Sequence, residues 1–135
     1  MRITMFYHSL LSDWNHGNAH FLRGIATELQ ARGHHVEVYE PRLGWSLQNL
    51  FAERGAQPLI DFQDAYPGLI STLYDPEYIN LDAALRDTDL VIVHEWNEPE
   101  LVTRIGEHHA ASAFSEGREY RLLFHDTHHR CVTDP

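Results

Sequence analysis

Eleven of the 135 residues are histidine, and three of them sit where a short apolar run gives way to polar sequence: Tyr7-His8, Val93-His94 and Phe124-His125. Imidazole titrates near neutrality and can donate, accept, act as a base or ligate a metal. Two of these positions open richer polar segments, His94-Glu95-Trp96-Asn97 and His125-Asp126-Thr127-His128-His129-Arg130. A carboxylate beside an imidazole is the pairing that general acid–base chemistry uses. His125, Asp126 and His128 are also potential metal ligands, the expectation of a metal-dependent hydrolase. However, their segment follows a strand, and H-E-x-x-H is missing, so no metal is assigned. The remaining histidines described by the pattern, His34, His35, His108 and His109, fall at turns or helix ends and are given no role.

A second polar stretch, Asn15-His16-Gly17-Asn18, follows the first apolar run and leads into a helical pattern. The start of a helix carries unsatisfied N–H groups and partial positive charge, which suit an anion or a hydroxyl-rich ligand. Neither G-x-G-x-x-G nor the Walker lysine motif is present, and the chain has no lysine at all. Asp13 to Gly17 also misses the D-x-H-x-x-G spacing of a cobalamin module. The single cysteine, Cys131, excludes an internal disulfide and a cysteine-based zinc site, and nothing supports it as a nucleophile.

The elements that must position these residues alternate. Residues 3–7 read as a buried strand, and Phe21, Leu22, Ile25, Ala26 and Leu29 recur at helical spacing, with Arg23, Glu28 and Gln30 between them. Gly33 is the expected helix stop, and residues 36–39 form the second strand. Residues 41–79 read as an irregular excursion with one or two short helices, one capped by Ser46 and ending at Gly55. A short helix capped by Asn80 then precedes a strand at 90–93. Pro99 suits the first turn of a further helix that Gly117 closes, and residues 120–124 form the last strand. The pattern predicts a single α/β domain over residues 1–135, a Rossmann-like three-layer arrangement around a parallel sheet of about four strands. In such sheets ligands bind at the carboxyl ends of the strands, where His8, His94 and His125 gather.

Composition narrows the function. Ten basic against twenty acidic residues give a formal charge of −10, which repels phosphate backbones and anionic lipid and disfavours nucleic-acid binding. No apolar run reaches the roughly 20 residues of a membrane span. The N-terminus enters a strand at once, without the pattern of a signal peptide, so a cytoplasmic location is expected. A small binding or regulatory domain of flavodoxin-like shape is an alternative, but Tyr7-His8-Ser9 supplies neither the acidic cluster nor the phosphate loop that this class places after its first strand.

The order of these segments resembles the N-terminal half of GT-B glycosyltransferases, most closely the spore-maturation-type group. The likeness rests on Phe21 to Leu29 followed by Arg32-Gly33-His34-His35-Val36, on Asp89 to Glu95, and on Leu122 to Asp126. It covers nearly the whole chain, with the middle excursion fitting least. The resemblance implies that this half binds a sugar or other small-molecule acceptor. The nucleotide-sugar donor would be held mainly by a C-terminal domain absent from this sequence, supplied in cis or by a separate chain, with no cofactor in this half. By that likeness Asn15, Gly17 and Asn18 match the loop near the donor phosphates, and His125 matches the histidine that contacts the transferred sugar. His94 and Glu95 line the acceptor side, one of them serving as general base if the enzyme inverts. His8, Trp96, Asp126 and His128 complete the expected substrate-binding set, Asp126 as the group that orients His125. The isolated chain is expected to be inactive, and a homodimer is a further expected partner arrangement.

Overall fold

The computed structural model describes residues 1–7, 17–41, 55, 60–61, 64–69, 71–114 and 119–126, with the backbone alone at 17–21. Five strands lie parallel in one sheet: β1 (Arg2–Phe6), β2 (His35–Pro41), β3 (Ser71–Tyr74), β4 (Leu90–His94) and β5 (Arg121–His125). Their spatial order is β3-β2-β1-β4-β5. Three helices are described from end to end: α1 (Gly17–Ala31), α2 (Leu81–Ala84) and α3 (Pro99–Ser112).

The expected four strands are therefore five. The extra strand, β3, falls inside the segment read as irregular, where it pairs with β2 from Val38↔Ser71 to Pro41↔Tyr74. It is only four residues long and only Tyr74 is fully buried, so neither alternation nor an apolar run marks it in the sequence. Its β-prone residues are used nonetheless. Ser71 Oγ donates to Glu40 at 3.0 Å and Thr72 Oγ1 donates to Glu37 at 3.2 Å, fastening β3 to β2 through side chains as well as backbone.

The period of two along each strand divides the core between the faces. On one face Ile3, Met5 and Tyr7 pack with Val36, Val38 and with Leu22 and Ala26 of α1. On the other, Phe6, Val91 and Val93 pack with Leu81, Leu85, Leu101, Ile105 and Tyr120 beneath α2 and α3. Helices thus cover both sides, and the predicted stops are largely where the chemistry requires them. Gly33, at φ +87°, donates its N–H to Gln30 O while His34 N–H bonds Leu29 O. These are the two hydrogen bonds of a Schellman closure, with glycine where a side chain would be strained. Asn80 Oδ1 accepts from Ala83 N–H at the start of α2, as expected of an N-cap. The third helix begins at Pro99 but ends at Ser112, ahead of the expected Gly117, which lies outside the described residues. The proposed cap Ser46 lies outside them too.

Arg23 departs from its expected place. It was grouped with the polar residues between the apolar positions of α1, yet it is completely buried. Glu40, on β2, is likewise completely buried. Two formally charged side chains therefore sit inside the fold, where they need specific polar surroundings.

Candidate functional site

The strand order reverses between β1 and β4. Crossovers run from β1 to β2 and β3 on one side, then from β3 back across to β4 and β5 on the other. Such a reversal parts the flanking loops and opens a crevice at the carboxyl edge of the sheet. The register places the ends of β1, β4 and β5 level there: Phe6 pairs Val93, Val93 pairs Phe124, and His94 pairs His125. Val93 packs toward α2 and α3, so His94 points to the α1 face, as does Tyr7 one residue beyond Phe6. His125 follows the same alternation from Leu122.

The outcome is a row of three rings across three neighbouring strands. Tyr7 lies 5.0 Å from His94 between ring centroids, His94 lies 5.1 Å from His125 with the rings near perpendicular, and Tyr7 lies 5.9 Å from His125. The Tyr7 hydroxyl is 2.8 Å from His125 Nδ1. His94 is 2% exposed and Tyr7 7%, whereas His125 is half-buried at the open end of the row. Burial raises the Tyr7 phenol to about 12, so it remains a neutral hydroxyl at physiological pH.

A tight turn after β4 completes the rim. Asn97 N–H bonds His94 O at 3.2 Å, closing the turn His94-Glu95-Trp96-Asn97. Within it the Trp96 backbone N–H donates to His94 Nδ1 at 3.3 Å, and Glu95 N–H donates to His125 O at 3.0 Å. The Asn97 amide nitrogen donates to both Phe6 O and His94 O at 2.8 Å, tying the end of β1 to the end of β4. Glu95 is buried, while Trp96 is 46% exposed and stands out from the rim.

Of the expected site residues, the structure brings together His94, Glu95 and His125, with Trp96 on the same turn and the half-buried Asp126 immediately after β5. At His125 Nδ1 the contact is with the Tyr7 hydroxyl. Gly17 and Asn18 begin α1, and because α1 follows β1 in a parallel crossover, its N-terminus lies at this same edge. His8, Asn15 and His128 lie outside the described residues. No three His, Cys, Asp or Glu side chains converge to hold a metal among the described residues. Tyr7 and Asn97 were missed as site residues. The sequence marks one as the tail of a strand and the other as the start of a helix, and their partners lie 118 and 91 residues away.

Two of the histidines given no role, His108 and His109, form a separate structural cluster. His108 bridges Asp82 at 2.9 Å and the Tyr120 hydroxyl at 2.9 Å, and His109 Nε2 lies 3.0 Å from Tyr120 O. They clamp α3 to α2 and to the start of β5. His34 Nδ1 lies 3.0 Å from the N-terminal amine.

A shallow apolar hollow of about 380 Å³, lined by Pro76, Glu77, Glu98, Leu101 and Arg104, lies beside the start of α3. Its Arg104 donates to Pro76 O and Ile79 O, and so staples the loop after β3 to the helix. No helix among the described residues is long and apolar enough to cross a membrane. Comparison with protein-family models, with curated protein sequences and with solved structures finds no match for this chain.

Proposed function

We propose that the chain is the acceptor-side, Rossmann-like N-terminal half of a cytoplasmic GT-B glycosyltransferase, working with a donor-binding domain in cis or on a separate chain. The observation that carries this reading is the Tyr7–His94–His125 row, with Glu95 beside it, at the carboxyl edge where the strand order reverses. That edge is where open α/β sheets take their ligands. Aromatic and imidazole faces beside a buried carboxylate suit a polyhydroxylated acceptor, which offers apolar C–H faces and hydroxyls in one small molecule. A second observation agrees. The outer strand β5 leaves Leu123 and Phe124 about half exposed on opposite faces, an apolar edge suited to covering by further structure.

In this reading His125 contacts the transferred sugar, and His94, Glu95 and Trp96 line the acceptor. Asn15, Gly17 and Asn18 border the donor phosphates, and the nucleotide itself belongs to the other half. The test is transfer from a panel of nucleotide sugars by this domain joined to its donor-binding half, wild type against His125→Ala. Transfer should fall at least 100-fold with the fold intact, and the 135-residue chain alone should transfer nothing. Unchanged turnover in His125→Ala removes His125 from the site. Absence of transfer by the joined wild-type protein with every donor refutes the assignment.

A further inference from the structure

The hollow beside the start of α3 is built from two elements: Pro76 and Glu77 follow β3, while Glu98, Glu100, Leu101 and Arg104 come from the start of α3. At about 380 Å³ it falls in the range that takes small organic molecules. Pro76, Leu101 and the stem of Arg104 give it an apolar floor, and Glu77, Glu98 and Glu100 are exposed around it. None of these three carboxylates has an ion-pair or hydrogen-bond partner among the described residues. Arg104 commits guanidinium donors to Pro76 O at 2.7 Å and Ile79 O at 2.8 Å. Three negative charges thus face one fixed guanidinium and the roughly half positive charge of a helix start. Glu98 and Glu100 offset that helix end, but Glu77 stands on a different element.

A second observation comes from the core beneath. Tyr74 is 6% exposed, and its hydroxyl has no hydrogen-bond partner among the described residues. Its ring lies 5.6 Å from Tyr39 on β2 and 5.9 Å from Phe6 on β1, edge-on to both. Since β3 and β1 are two strand spacings apart, about 10 Å, the ring leans inward over β2. That tilt carries the hydroxyl toward α3, whose Leu101 lines the hollow and belongs to the same packed cluster. A buried hydroxyl left unused is costly, and a guest or a water held at the hollow would use it.

The geometry points to a binding site for a small organic cation, an alkylammonium or guanidinium group on an aliphatic stem. The stem lies on Pro76 and Leu101, the charge meets Glu77, Glu98 and Glu100, and the Tyr74 hydroxyl accepts an N–H directly or through one water. The site is separate from the sugar-transfer reading, and its failure would leave that reading untouched.

The test is a titration of the 15N-labelled, 135-residue chain at pH 7 and low salt with n-butylammonium, n-butanol and butyrate. Butylammonium should shift the amides of Glu77, Glu100, Leu101 and Arg104 saturably, and butanol and butyrate should bind at least tenfold more weakly. Physiological salt should weaken the cation several-fold. Glu77→Gln with Glu98→Gln should weaken it at least fivefold, whereas Glu119→Gln, exposed elsewhere, should leave it unchanged. Butanol binding as tightly as the cation overturns the proposal, as do shifts spread over the acidic surface or an equal loss in Glu119→Gln. Those arms decide even if Tyr74→Phe does not fold. In a folded Tyr74→Phe affinity should fall at least twofold, and unchanged affinity removes Tyr74 from the site. N-acetylarginine methylamide should bind no tighter than butylammonium; binding tenfold tighter would give the site to a protein side chain instead.

Discussion

Asn97 is the residue whose removal should most directly loosen the rim. Its amide nitrogen stands 2.8 Å from two carbonyl oxygens, Phe6 O at the end of β1 and His94 O at the end of β4. Two acceptors at that distance identify the atom as nitrogen rather than oxygen. Asn97→Ala deletes both bonds inside the fold. Each contributes about 1 kcal/mol net, and a buried carbonyl left without its donor adds about 1–3 kcal/mol. His94 O still accepts from the Asn97 backbone N–H, so the added penalty falls mainly on Phe6 O. Against this, Asn97 Oδ1 is buried without a hydrogen-bond partner among the described residues, and losing it recovers roughly 1 kcal/mol. The balance is a destabilisation of about 2–4 kcal/mol, or a fall in Tm of roughly 6–20 °C for a chain of this length. Asn97→Asp is the sharper control, because it sets a carboxylate oxygen against the same two carbonyls and should cost more than alanine. Urea unfolding with an unchanged m-value measures both. A loss below about 0.5 kcal/mol for alanine, or aspartate better tolerated than alanine, would refute the claim that this amide stitches β1 to β4.

Two further outcomes follow from named contacts. Gly33→Ala places a side chain at φ +87° in the Schellman closure of α1 and should destabilise by about 1 kcal/mol, measurable in the same unfolding assay. At alkaline pH the buried phenols of Tyr7 and Tyr120, both raised to about 12 from the ordinary 10, should limit stability. The unfolded chain releases these protons first, so their contribution is complete below pH 10 and is lost between 10 and 12, at up to about 1.4 kcal/mol per pH unit for each; unfolding curves across that range should become shallower in Tyr7→Phe.

What could be read in the sequence depended on whether the cause of a feature was local. The unit from β1 through α1 to β2 follows from short-range chemistry: a β-prone run, apolar residues at helical spacing, and a glycine where the backbone turns left-handed. The convergence of His94 and His125 was also legible, because parallel strands bring their carboxyl ends to one edge whatever the intervening sequence. The strand β3 was not, since it gains its place by pairing with β2 and by the Ser71 and Thr72 hydroxyls rather than by apolar pattern. The burial of Arg23 is not legible in the same way, because the apolar spacing places a charged residue only between its positions. At about 100° per residue, position 23 lies roughly 100° from Leu22 and 60° from Ala26, at the border of the apolar arc, so the helical pattern does not mark it as buried.

The candidate site depends on parity more than on any one residue. Side chains alternate along each strand, so a three-membered row on the α1 face needs Tyr7, His94 and His125 to share both register and face. Three contacts hold that agreement in place. The Val93↔Phe124 pairing levels β4 with β5, the Asn97 amide levels β1 with β4, and the Tyr7 hydroxyl closes the row from β1 to β5. A slip of one residue in β4 would send His94 toward α3 and put Val93 beside Tyr7, costing the core an apolar contact as well as emptying the site. The packing that stabilises the sheet and the chemistry at its edge are therefore enforced by the same register, so selection for a packed core also preserves the rim. Tyr7 shows this most plainly, with its ring in the α1-side core and its hydroxyl on His125.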